Sequence, residues 1–117
     1  GRILNIHPSL LPKFPGLHTH QRALEAGEIE HGCSVHFVTA DVDQGPLIIQ
    51  AKVPVKKLDD SNSLAERVLE KEHIIYPLSV RWFCKKTLHY KDGDVYFDNR
   101  LLDKTIILSI EHEVELQ

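Results

Sequence analysis

Asn5 and His7 stand two residues apart in the stretch Ile3-Leu4-Asn5-Ile6-His7. In an extended strand, residues two apart point to the same side. An amide donor beside a titratable imidazole can grip a carbonyl oxygen as negative charge develops on it. The imidazole can also move a proton. Pro8, Pro12, Pro15 and Gly16 crowd the residues that follow. Proline fixes φ and removes a donor, so this segment is a stiff loop that would hold the pair still. The competing assignment is an amide that caps a loop and a histidine satisfied structurally. Taken alone, an Asn-x-His pair favours that blander assignment.

Other stretches carry groups that chemistry could use. Asp41-Val42-Asp43-Gln44-Gly45-Pro46 follows a second apolar run. A carboxylate there can orient His7 and raise its pKa, although Asp, Gly and Pro are also ordinary turn residues. Glu72 lies one turn beyond Val68, near the margin of an apolar helix face, where it either meets a polar ligand or is solvated. The chain has eight histidines: His7, His18, His20, His31, His36, His73, His89 and His112. Neither H-E-x-x-H nor paired C-x-x-C spacing occurs, and His18 and His20 would point to different sides of a helix, so no metal site is expected. No Gly-x-Ser-x-Gly elbow or Gly-rich phosphate loop is present in these residues.

The elements that must position these groups follow from the pattern. Residues 2–7 form a short buried strand. A helix runs from His18 to Ala26 and stops at Gly27. Residues 33–39 are a strand, 40–46 a loop, and 47–55 a second strand with Pro54 at its exit. Residues 59–63, DDSNS, are a loop. Ser63-Leu64-Ala65-Glu66 fits a capping box opening a helix to about Lys86. Leu64, Val68, Ile75, Leu78 and Trp82 share one side of it, and Pro77 should kink it. HYKDGDVYFD reads as a hairpin on an Asp-Gly turn. ILSI in the tail reads as an edge strand. Strands alternating with helices predict an α/β protein with a mainly parallel sheet, whose ligands sit beyond strand carboxyl ends. Asn5 and His7 are at such an end.

Composition bounds the rest. A chain of 117 residues allows one domain, and 42% hydrophobic with 26% charged residues is ordinary for a globular protein. A net charge of -3 with no basic block gives no reason to expect a nucleic-acid or membrane partner. Cys33 and Cys84 are expected as reduced core thiols, which suits the cytoplasm. No methionine occurs anywhere. The chain also opens almost directly in a strand, so a fragment or processed piece is expected.

Three stretches together resemble one family: NIHPSLLPKFPGLHTHQRALEAG, EHGCSVHFVTADVDQGPLIIQAKVPV and ERVLEKEHIIYPLSVRWF. They are similar to the folate-dependent formyltransferases, and closer to the branch that formylates glycinamide ribonucleotide in de novo purine biosynthesis than to methionyl-tRNA formyltransferase or formyltetrahydrofolate deformylase. The resemblance implies the C-terminal half of a Rossmann-like formyltransferase fold. It would be a single domain over residues 1–117, incomplete at its N-terminus. It implies 10-formyltetrahydrofolate as the formyl-donor cosubstrate, glycinamide ribonucleotide as acceptor, and no metal. The family's catalytic trio falls on Asn5, His7 and Asp43. Thr39, Ala40, Asp41, Val42 and Asp43 match the loop that cradles the folate, with Asn5 contributing. Leu69, Glu70, Lys71 and Glu72 match the stretch that touches the ribonucleotide, Glu72 being its polar contact.

The phosphate-binding first half of the family fold is not among these residues, and nothing is assigned to the tail after Asn99. A missing N-terminal half is therefore the expected partner. One alternative is a truncated, non-catalytic piece that folds or pairs its sheet edge with a second copy as a homodimer. Another is a related formyltransferase with a different acceptor amine.

Overall fold

The computed structural model describes residues 3–40 and 44–108, together with the backbone of 114–115. In chain order the described elements are β1 (Leu4–His7), α1 (Thr19–Glu25), β2 (Glu30–Phe37), β3 (Leu47–Pro54) and α2 (Ser61–Cys84). They continue with β4 (Leu88–Lys91), β5 (Asp94–Phe97), β6 (Arg100–Leu101), β7 (Ile106–Leu108) and β8 (Val114–Glu115). One sheet has the order β1-β2-β3-β7-β8 and a smaller one the order β4-β5-β6.

Register gives the large sheet two unlike rows. Ile6 opposes Val35, Val35 opposes Ile49, and Ile49 opposes Ile106. Side chains of cross-strand partners share a face, so this row is apolar across four strands. Leu64, Val68 and Ile75 of α2 are fully buried in the same core cluster. Burying each contributes about 1.5–3 kcal/mol before chain entropy is counted, which anchors the helix to the sheet. The neighbouring row is polar: His7 opposes Ser34, and Ser34 opposes Gln50.

The α/β class is as expected, but the pairing within the described residues is mixed rather than mainly parallel. β3 and β7 are parallel, whereas β1–β2, β2–β3 and β7–β8 are antiparallel. Residues 38–46 join β2 to β3 directly, and a parallel return needs a crossover of a dozen or more. Between β3 and β7 lie α2 and the small sheet, which is enough chain to return parallel.

Boundaries move for identifiable reasons. β2 begins at Glu30 rather than residue 33, because β3 runs on far enough for Pro54 and Val53 to oppose Glu30 and His31. α2 opens at Ser61, capped by Asp60 rather than Ser63. Asp60 Oδ1 accepts the Ser63 N–H at 2.8 Å, and Ser63 Oγ accepts the Asp60 N–H at 3.1 Å. Asp is at least as good an N-cap as Ser, so the box closes one turn earlier. The helix runs past Pro77 to Cys84.

β7 lies between β3 and β8, with Ile106 and Leu108 buried, so this tail strand is not at the sheet edge. Cys33 is buried and free as expected, but Cys84 is free and exposed at the end of α2. Among the described residues, no helix is long and apolar enough to cross a membrane.

Candidate active site

β1 carries Asn5 opposite His36 and His7 opposite Ser34, so Asn5 and His7 lie on one side of the strand. Asn5 is exposed and His7 is 5% exposed. The Nε2–H of His7 donates to the Phe14 carbonyl at 2.8 Å. A carbonyl only accepts, so this bond fixes the proton of the neutral ring on Nε2. Nδ1 is then the nitrogen at which a proton is gained or lost.

The loop after β1 makes that bond available. Phe14 holds a left-handed φ of 52°, which turns its carbonyl back toward β1. The turn is secured by Ser9 Oγ donating to the Lys13 carbonyl at 2.5 Å and by the Lys13 N–H donating to Leu10 at 3.0 Å. From α1, Arg22 Nη1 donates to the Pro15 and Leu17 carbonyls at 2.5 and 3.1 Å. Its guanidinium also sits over the Phe14 ring, 5.5 Å from the centroid.

A histidine pair packs against this loop. The Phe14 ring meets His31 edge-on at 6.3 Å, and His20 Nδ1 lies 3.1 Å from His31 Nε2. Burial, with His20 beside it, pushes His31 down to about 4; burial also lowers His20. Both rings are therefore neutral near neutral pH, one donating and the other accepting.

Glu72 occupies the core-facing stripe of α2, four residues after Val68 and three before Ile75. It is half-buried, and loss of solvation raises its carboxyl pKa, opposed by the charges of His73 and His7. The charge of His7 on β1 thus reaches Glu72 on α2. Burial and the Glu72 charge push the Cys33 thiol up to about 12, which leaves it inert. Lys71 is half-buried, while Leu69 and Glu70 are exposed. Four consecutive helical residues cannot share one face, so the expected contact stretch divides, and Glu72 is its inward carboxylate.

Thr39 is half-buried and Ala40 exposed, just past the end of β2. Asp41, Val42 and Asp43 lie outside the described residues. The chain is described again from Gln44. A Cβ on Gly45 would fall 1.6 Å from the Phe37 carbonyl oxygen and 3.4 Å from His36 Nδ1. Only glycine permits that approach, and it brings this loop back beside the cross-strand neighbour of Asn5. Leu11, Pro12, Pro15, Gln44, Gly45 and Leu47 line a hollow of about 380 Å³ between the two loops. Among the described residues, no group of three or more His, Cys, Asp or Glu is gathered as a metal would need.

Reading residue types alone missed Phe14, whose contribution is a main-chain carbonyl and leaves no trace in its identity. It also considered His20 and His31 only as metal ligands. What remains on β1 and α2 is an amide and an imidazole able to stabilise an oxyanion and shuttle a proton, faced by a half-buried carboxylate able to accept a hydrogen bond.

Residues 1–80 match the family model described as formyl transferase. The phosphoribosylglycinamide formyltransferase of Escherichia coli is 54% identical over 102 residues, covering 87% of this chain and 48% of that protein. Its counterpart in Haemophilus influenzae is 50% identical over 105 residues, covering 90% and 50%. A solved phosphoribosylglycinamide formyltransferase from Coxiella burnetii superposes with a TM-score of 0.82 at 53% identity, covering 87% of this chain and 48% of that one. The chain spans about half the length of these two curated relatives.

Proposed function

The chain belongs to the formyl transferase family, and on that premise we propose that it carries the catalytic half of a phosphoribosylglycinamide formyltransferase. The amine of glycinamide ribonucleotide attacks the formyl carbon of 10-formyltetrahydrofolate. A tetrahedral oxyanion forms, its C–N bond to the folate breaks, and tetrahydrofolate leaves. The Asn5 amide donates to the oxyanion. Protonated His7 donates from Nδ1 and delivers a proton to the leaving nitrogen. Each such donor is typically worth about 3 kcal/mol of barrier.

Asp43 is the carboxylate that stabilises His7 while it carries the transferred proton and, through a water, relays the proton released by the amine. Thr39 to Asp43 cradle the folate. Glu72 accepts from the ribonucleotide, with Leu69, Glu70 and Lys71 flanking it. No metal takes part. Binding of the acceptor's phosphate belongs to the N-terminal half found in the family, so turnover needs both halves, and the protein works in the cytoplasm.

The observation that carries this reading is the His7 ring, nearly buried and held by the Phe14 carbonyl on the same side of β1 as Asn5. The test is formyl transfer by the full-length protein, followed through release of the deformylated folate. His7→Ala and Asn5→Ala should each lower kcat by about a hundredfold or more. The melting temperature should stay within a few degrees of wild type. Near wild-type turnover in either variant would falsify the assignment.

A further inference from the structure

The loop that supplies the Phe14 carbonyl is itself tied to the sheet at one place. Ser34 is fully buried on β2, opposite His7, and its hydroxyl is completely used. It donates to the Ser9 carbonyl at 2.7 Å and accepts the Leu11 N–H at 3.1 Å. It also accepts from Gln50 Nε2 at 3.0 Å. Gln50, opposite Ser34 on β3, donates from the same nitrogen to the Leu11 carbonyl at 2.8 Å. Both main-chain groups of Leu11 and the carbonyl of Ser9 are thus held by two side chains in one row, His7–Ser34–Gln50. Three residues after Leu11 comes Phe14, whose carbonyl takes the His7 Nε2–H.

We propose that Ser34 and Gln50 are positioning residues for His7. By clamping Ser9 and Leu11 they set where the loop turns back, and so hold the Phe14 carbonyl where it selects the Nε2–H tautomer and turns Nδ1 to the reacting atoms. Both act through the loop. A fixed tautomer on a group that must give and take a proton is worth having, because a misplacement of about 1 Å far from the chemistry can cost on the order of a hundredfold in rate. The inference rests on the formyl-transfer role given to His7, but the tautomer itself can be read without turnover.

The experiment uses the full-length protein labelled with ¹⁵N in its histidine rings, with imidazole nitrogen shifts assigned by loss of the His7 signal in His7→Gln. Gln50→Glu keeps the size of a partly exposed side chain and removes its donor. Ser34→Ala removes the hydroxyl at the buried end of the clamp and serves as the second variant. Wild type should show His7 as the Nε2–H tautomer. Both variants should populate the two tautomers together and lose ten- to a hundredfold in kcat, with KM changed less than twofold. If folded Gln50→Glu keeps the wild-type tautomer and kcat, the proposal is overturned, whatever Ser34→Ala does. If wild type transfers no formyl group, the functional reading fails, while the tautomer comparison still decides whether the clamp holds His7.

Discussion

The loop of residues 8–18 and the hairpin of β4 and β5 are both short excursions from the core, yet they are held in opposite ways. In the hairpin each pair is local: Leu88 opposes Phe97, His89 opposes Tyr96, Tyr90 opposes Val95, and Lys91 opposes Asp94. Its turn places Asp92 and Gly93 at φ 53° and 87°, the two left-handed residues that match strand twist in a two-residue hairpin. His89 stacks on Tyr96 at 5.1 Å across the ladder. In the loop, local ties such as Ser9 to Lys13 are joined by ties from far along the chain. Ser34 lies 25 residues from Ser9, and Gln50 lies 39 from Leu11. A local device gives a shape that needs little else. A remote one makes the shape conditional on the sheet being assembled, and Asn5 and His7 sit beside the remote one.

The sharpest way to break that contrast is Gly32→Ala. A Cβ at Gly32 would lie 1.9 Å from the Ala51 carbonyl oxygen and 2.9 Å from Leu10 Cδ2. The nearer atom is backbone and cannot swing aside, so β2, β3 and the loop over them must shift together. Unfolding of the full-length protein by urea should show a loss of at least about 3 kcal/mol. Intact stability in Gly32→Ala would mean that loop and sheet are not packed as one unit.

A second, smaller effect separates the two regions by pH. Folded His31 takes its proton only near pH 4, against 6.5 for the free side chain. Between these values the unfolded chain binds more protons, so stability from this group is complete above about 6.5 and is lost as pH falls toward 4. The full shift corresponds to up to about 3 kcal/mol. Urea midpoints measured from pH 7 to pH 4 should fall less steeply in His31→Gln than in wild type. Equal slopes would show that the histidine pair contributes nothing to the acid lability of the loop side.

What the sequence made legible divides along the same line. The Asp-Gly turn, the apolar stripe of α2, and the Asn5–His7 side of β1 all follow from spacing within a single element, and the structure has them. α2 starts one turn before the Ser63 box, because Asp60 and Ser63 satisfy the same capping chemistry in either order. The sheet was expected parallel because alternation of elements does not report which way a strand enters. Ser34 and Gln50 carry no signal at all: a serine and a glutamine in apolar strands become a clamp only once β1, β2 and β3 stand side by side. Asp43 lies outside the described residues, so its place near His7 rests on the family resemblance.

The hairpin offers the control with the smallest effect. A Cβ at Gly93 would meet nothing within 4 Å, so space is not at issue; its φ of 87° is. Gly93→Ala should therefore cost only the left-handed strain of an L-residue, about 1 kcal/mol, with formyl transfer unchanged. Gly93→Asn should cost less, because asparagine tolerates that region better. Measured beside Gly32→Ala, the pair distinguishes a glycine needed for its dihedral from one needed for its lack of volume. A loss in Gly93→Ala as large as that in Gly32→Ala would show the hairpin to be coupled to the rest of the fold through more than its own turn. The distinction between local and remote specification would then fail for this protein.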